Sequence, residues 1–268
     1  MKLLRSLLCL LLFSVLVCGD TAALRPKYLE GVGIFQNLNA QVPLQAQFTD
    51  EFGRPTTLGR LMTGRPVVFA LVYYTCPALC DQILHGMVSA MRQLTLRPGH
   101  DYDVIAISIN PDEKPSEGAE KRMNVVNAYL PNSPMDGWHF LTGNEKNIRM
   151  VADAVGYHYR YDPATKMFFH GAGFMVLTPE GRVARYLYGI TYEPKDLKLA
   201  LVEASNHKIG SPVDEILLFC CKYNAVTGKY DLTVLALLRA AAALTILLMA
   251  AGFVIMVRRT KRIREHRA

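Results

Sequence analysis

The chain has 268 residues, 51% of them hydrophobic and 20% charged, with 30 Lys+Arg against 23 Asp+Glu and a formal net charge of +7. That length suits one domain with accessory segments, or two small domains. The positive excess sits at the ends: residues 24–231 hold 21 Lys+Arg and 21 Asp+Glu, and this neutral balance argues against nucleic acid as a partner.

The chain opens on Met1-Lys2-Leu3-Leu4-Arg5-Ser6, followed by an apolar run from Leu7 to Cys18 broken only by Ser14, and then Thr21-Ala22-Ala23. A basic start, a short apolar stretch and a small-residue exit predict a secretory signal over 1–23, cleaved near Ala23. At 12 residues the run is shorter than the roughly 20 that cross a bilayer; an uncleaved N-terminal anchor is the competing reading. Residues 24–43 form an N-terminal extension.

The globular part is predicted over 44–210. Leu44 to Thr49 alternates, and Asp50-Glu51-Phe52-Gly53-Arg54-Pro55 supplies a turn. Val67 to Tyr74 is a nearly continuous apolar run, as in a strand covered on both faces. After Pro77 the spacing of Leu79, Ile83, Met87 and Met91 becomes helical. Tyr102 to Asn110 reads as a second buried strand, Pro115 to Leu130 as a polar helix, Trp138 to Gly143 as a short strand, and Glu145 to Val155 as a helix. Gly173–Thr178 and Arg182–Tyr188 are two strands joined by Pro179-Glu180-Gly181, and Pro194 opens a last helix to about Asn206. Strands alternating with helices predict an α/β fold. The closing hairpin and helix suit a thioredoxin-like fold, with a central mixed sheet flanked by helices.

Residues 211–231 form a juxtamembrane linker. From Leu232 to Val257 the chain is apolar apart from Thr233, Arg239 and Thr245, and a basic tail follows over 258–268. This pattern predicts a C-terminal transmembrane helix over 232–257 with its tail in the cytoplasm, Arg239 snorkelling to the outer interface. A buried core helix is the alternative. The topology puts residues 24–231 outside the cytoplasm.

Of six cysteines, Cys9 and Cys18 lie in the signal, leaving Cys76, Cys80, Cys220 and Cys221. These are too few for a disulfide-built scaffold, so specific roles are expected of them. Cys76-Pro77-Ala78-Leu79-Cys80 sits where a buried strand hands over to a helix. Pro77 suits the first helical turn, residues four apart share a helix face, and a helix N-terminus favours thiolates. The pair is therefore a candidate for disulfide exchange or for soft-metal ligation. The spacing is one residue longer than that of thioredoxin-type redox pairs, and no further zinc ligands stand at recognisable spacing. The best imidazole candidate is His170, on a loop leading into a strand whose end faces the cysteine junction, with Gly171, Ala172 and Gly173 permitting close backbone approach. Two thiolates and one imidazole form a set that suits copper.

With these residues in view, the sequence resembles the Sco/SenC family of copper-binding, thioredoxin-like proteins, in a bacterial form with a C-terminal membrane anchor. The resemblance runs from about Leu29 to Tyr230. It rests on Phe48-Thr49-Asp50 with Gly53-Arg54-Pro55, on Tyr73-Tyr74-Thr75-Cys76-Pro77-Ala78-Leu79-Cys80, on Trp138-His139-Phe140-Leu141-Thr142-Gly143, and on His170 ahead of Gly173-Phe174-Met175-Val176-Leu177-Thr178-Pro179-Glu180-Gly181. It implies copper ligation, as Cu(I), Cu(II) or both, by Cys76, Cys80 and His170. It also implies a role in building the binuclear copper centre of cytochrome c oxidase, by copper delivery or by keeping the oxidase's copper-ligand cysteines reduced. The implied partners are cytochrome c oxidase subunit II, the bacterial inner membrane and another copper chaperone or thiol reductase. This chain departs from many members in lacking a carboxylate within the cysteine loop, where Pro77, Ala78 and Leu79 stand.

Two enzyme readings compete with a metallochaperone. A general thiol–disulfide oxidoreductase with Cys76 and Cys80 as its redox pair would keep a proline before the strand facing the cysteines, and none lies between Pro163 and Pro179. A thiol peroxidase would need an arginine near Cys76, and none is near in sequence. Met87 and Met91 are expected in the core, while His85, His100, His139, His158 and His207 are expected to be surface or structural. Asp162 suits either a turn or a place behind the metal ligands. Cys220 and Cys221 are either inert or an auxiliary thiol.

Overall fold

The computed structural model describes residues 31–76, 79–209, 223–224, 229–230, 242–247, 249–252 and 254. The signal, Cys9, Cys18, Cys220, Cys221, Pro77, Ala78, the basic tail and most of the span over 232–257 lie outside these residues. Residues 242–247 and 249–252 are helical. Among the described residues no helix is long and apolar enough to cross a membrane.

Five strands build the central sheet: β4 (Val67–Val72), β5 (Asp103–Ser108), β6 (Trp138–Leu141), β10 (Gly173–Leu177) and β11 (Val183–Tyr188), in the spatial order β11-β10-β4-β5-β6. β4, β5 and β6 run parallel, whereas β10 is antiparallel to both β4 and β11. Every residue of β4 and of β5 is buried. An apolar run of this length has no solvent face, so it belongs at the centre of a sheet with helices on both sides. Each such Val, Leu, Ile or Phe contributes roughly 1.5–3 kcal/mol by its burial.

The helices follow the strands. α1 (Leu58–Leu61) precedes β4; α2 (Leu79–Met91), α3 (Pro115–Tyr129) and α4 (Glu145–Ala154) follow β4, β5 and β6; α5 (Pro194–Ser205) follows β11. Their starts have local causes. Pro115 and Pro194 occupy the first turns of α3 and α5, where a missing N–H costs nothing. The Asn144 side chain accepts from the Asn147 N–H at 2.9 Å and caps α4. Met87 and Met91 are fully buried on α2. A Cβ on Gly86 would meet the Ile190 carbonyl oxygen at 1.9 Å. That close approach lets α2 lie flush on the loop after β11.

Apart from α1, these elements, nine in all, appear in the order expected from hydrophobic periodicity. Among the shorter ones, β2 (Gln47–Thr49) lies in the alternating stretch and turns through 50–54 to pair with β3 (Pro55–Thr57), whereas the pairing of β1 (Gly33–Ile34) with β7 (Tyr157–His158) and of β8 (Arg160–Asp162) with β9 (Met167–Phe169) was not foreseen. Two- and three-residue strands carry no readable period. A last pair, β12 (Tyr223–Asn224) with β13 (Lys229–Tyr230), lies in the linker region. β4 also ends two residues before the expected Tyr74, because other acceptors take the backbone N–H groups there. The Cys80 sulfur faces the Tyr73 N–H at 3.5 Å, and Glu113 Oε2 accepts from the Tyr74 N–H at 2.8 Å.

Candidate metal centre

The first donors come from the β4–α2 junction. Cys76 is 5% exposed and Cys80 is fully buried in the first turn of α2, and both are free thiols. The chain just ahead of them is held by Glu113, a buried residue on the loop after β5. Its carboxylate accepts from the Tyr74 N–H, from the Thr75 N–H and Oγ at 2.7 Å each, and from Ser108 Oγ at 2.5 Å. Sequence reading missed Glu113. Its only signal is a place among polar residues after the second buried strand, next to Pro111 and Pro115.

The third donor comes from the far end of the chain. His170 follows β9, and its Nε2 lies 3.0 Å from Cys80 Sγ. The β8–β9 hairpin that delivers it is seated by Phe168, whose ring meets Tyr73, Tyr159 and Tyr161 at centroid distances of 5.4, 6.0 and 5.0 Å. Asp162 accepts from the Ala164 N–H, the Thr165 N–H and Thr165 Oγ, so it builds the hairpin turn and does not stand behind the donors. Gly171 packs on β1, where a Cβ would meet Ile34 Cγ1 at 2.7 Å; the small residue allows the approach expected of it. His170, Cys76 and Cys80 are thus brought together. His85, His100, His158 and His207 are exposed, and His139 is half-buried on β6; burial lowers the pKa of His139.

The two sulfurs differ electrostatically. The hydrogen bond from Cys80 lowers the Cys76 pKa to about 3, against the opposing effect of burial, with smaller help from His170, Tyr73 and the Cys80 backbone N–H. That N–H belongs to the start of α2, so the helix terminus acts as expected, though as a minor cause. Cys80 moves the other way: burial, then its hydrogen bond to Cys76 and the charge there, push its thiol up. One sulfur holds the charge and the other the proton. The buried Tyr73 hydroxyl makes no well-formed hydrogen bond; burial and then Cys76 raise its pKa.

This asymmetry is measurable. In the reduced, metal-free protein the thiolate absorbance of Cys76 should stay nearly constant between about pH 8 and pH 5, whereas an ordinary thiol of pKa about 8.5 would lose nearly all of its thiolate over that range. The sign follows from a depressed pKa: the charged form persists until the pH falls toward 3. Cys76→Ser should remove the signal, and a midpoint near 8.5 would contradict the geometry.

Two sulfurs and an imidazole, with no carboxylate among them, fit a soft metal ion better than a hard one. Among the described residues no three His, Cys, Asp or Glu side chains are already grouped as a metal cage. The 3.0 Å sulfur–nitrogen separation is that of a hydrogen bond.

A mixed α/β sheet of thioredoxin-like type, bearing a dithiol and an imidazole at one strand–helix junction, defines the class of protein. A family model described as SCO1/SenC matches residues 37–204, and the chain belongs to that family. The fold is similar to a protein of Aquifex aeolicus VF5 provisionally described as an electron transfer protein, at 22% identity and a TM-score of 0.56 over 64% of this chain and 96% of that one. A second Aquifex aeolicus VF5 structure, provisionally described as an electron transport protein, matches at 22% identity and a TM-score of 0.53 over 64% of this chain and 100% of that one. Arabidopsis thaliana ScoI, solved with copper bound, matches at 20% identity and a TM-score of 0.48 over 60% of this chain and 96% of that one. No curated protein sequence matches significantly.

Proposed function

We propose that this chain is a copper carrier serving assembly of the copper centre of cytochrome c oxidase. The ion is its cargo, with Cys76, Cys80 and His170 as the ligands. The observation that supports this most directly is the meeting of a thiolate, a thiol and an imidazole on residues that the family resemblance independently marks as ligands. Both Cu(I) and Cu(II) accept this donor set, and a site of few ligands suits a cargo that must leave again. In this reading residues 1–23 direct export and residues 232–257 anchor the chain in the bacterial cell membrane. The domain over 44–210 then faces the oxidase subunit that receives the metal, on the extracytoplasmic side. Titration of the reduced full-length chain in detergent with copper should give one tightly bound ion per chain, lost on Cys76→Ser. Binding of equal tightness in wild type and variant would defeat the proposal.

The asymmetry of the sulfurs favours a second reading, a thiol–disulfide oxidoreductase acting on the oxidase's copper-ligand cysteines. A charged Cys76 is the natural attacking sulfur, and Cys80, beside it, would resolve the mixed disulfide. Rapid reduction of an oxidised copper-site peptide by the metal-free protein, with no copper transfer when loaded, would favour this reading over the first.

A further inference from the structure

From the hydrogen bonds around His170, we infer that Tyr157 is a positioning residue: it holds the imidazole with hydrogen on Nδ1 and turns Nε2 toward the cysteines. The inference rests on the copper-carrier reading and concerns how one of its ligands is presented.

Three contacts meet on the far side of the ring. His170 Nδ1 lies 2.8 Å from Tyr157 Oη and 2.9 Å from the Gly171 carbonyl oxygen, and Tyr157 Oη lies 3.2 Å from that same carbonyl. A carbonyl oxygen can only accept. A bare Nδ1 at 2.9 Å would set lone pair against lone pair, so Nδ1 carries the hydrogen. The phenol has one proton, and Gly171 is the acceptor left for it. Tyr157 therefore donates to the Gly171 carbonyl and receives from Nδ1–H. No other assignment satisfies all three contacts. Nε2, at 3.0 Å from Cys80 Sγ, is then the nitrogen turned to the cysteines, and any proton it lends them in the metal-free site is the one a metal displaces. Histidine ligands commonly have their second nitrogen fixed in this way by a carbonyl or similar acceptor.

Tyr157 is placed to do this and little else. It is fully buried and sits on β7, opposite Ile34 of β1. Both hydrogen bonds of its hydroxyl go to the His170–Gly171 segment. The turn that delivers it is tight: Gly156 follows α4 at φ 64, and a Cβ there would meet the Phe35 carbonyl oxygen at 1.9 Å. A glycine in the left-handed conformation ends the helix and sends the next side chain inward. The tyrosine and histidine rings lie 6.1 Å apart at 26°, so the phenol reaches the imidazole edge without covering Nε2.

The test uses the full-length chain in detergent, labelled with 15N-histidine, with His170→Ala to identify the His170 signal among the seven histidines. In the metal-free wild type, the His170 nitrogens should show hydrogen on Nδ1. Tyr157→Phe, which keeps the ring and removes only the hydroxyl, should alter that pattern and weaken copper binding about tenfold to a hundredfold, with the circular dichroism of the fold retained. A wild-type spectrum with Nδ1 bare overturns the inference, whether or not the variant folds. So does an unchanged nitrogen spectrum in Tyr157→Phe, or an unchanged copper affinity where the wild type binds copper. If the wild type binds no copper, the carrier reading fails, and the nitrogen spectrum alone still decides the role of Tyr157.

Discussion

His170→Ala and Cys80→Ser should each weaken copper binding by roughly two to three orders of magnitude. The scale comes from structural zinc sites, where about 10–16 kcal/mol is spread over four ligands, or about 3–4 kcal/mol for each; every 1.4 kcal/mol is about a factor of ten in affinity. The two variants should differ in their side effects. His170 is only half-buried, and its removal leaves the core intact. Cys80 is fully buried and faces the Tyr73 N–H, so a serine there keeps an acceptor and costs about 1 kcal/mol of stability, in the range of a typical hydrogen bond. Competition of each variant against a copper chelator of known affinity measures the loss. An affinity within about threefold of wild type for either variant would remove that residue from the ligand set.

The second large effect is on the fold. Glu113→Ala should lower stability by roughly 2–4 kcal/mol, because the buried Tyr74 N–H loses its acceptor, and a buried orphan costs about 1–3 kcal/mol, whereas the N–H of exposed Thr75 can turn to water at smaller cost. The Ser108 and Thr75 hydroxyls lose the same partner. For a domain of this size each kcal/mol moves the thermal midpoint by about 2–4 °C, so a drop on the order of 10 °C is expected by circular dichroism. Glu113→Gln should fall between, since the amide retains one acceptor oxygen but turns an NH2 toward groups that donate. Because Glu113 grips the two residues immediately before Cys76, the alanine variant should also slacken the copper site. A midpoint within about 2 °C of wild type would show that the loop is held by something else.

The nine main elements were readable because each is long enough to show its period. The all-buried runs of β4 and β5 and the helical spacing of Ile83, Met87 and Met91 leave little room for other assignments. The cysteine pair was readable from its place at the end of a buried strand, and His170 from its place before β10. What escaped were residues whose roles depend on partners distant in sequence. Nothing local marks Glu113 as the acceptor for Tyr74, 39 residues earlier, or Tyr157 as the neighbour of His170. The contacts that shape the site come from the short strands β1, β7, β8 and β9, which have too few residues to announce themselves. The division of charge between Cys76 and Cys80 escaped for another reason: a helix N-terminus acts on nearby sulfurs alike, whereas their mutual hydrogen bond drives them apart.

The contact between Cys80 and His170 joins residues 90 positions apart, with β5 to β9, α3, α4 and most of α2 threaded between them. Bringing such distant points together costs chain entropy that is recovered only when the intervening structure is in place. A half-made chain therefore owns the two sulfurs without the imidazole. Competence for the ion is acquired late and all at once, as a certificate that the polypeptide between the donors is complete. Because an ion held this way favours the finished fold over every earlier form, loss of the ion also relaxes the fold that held it.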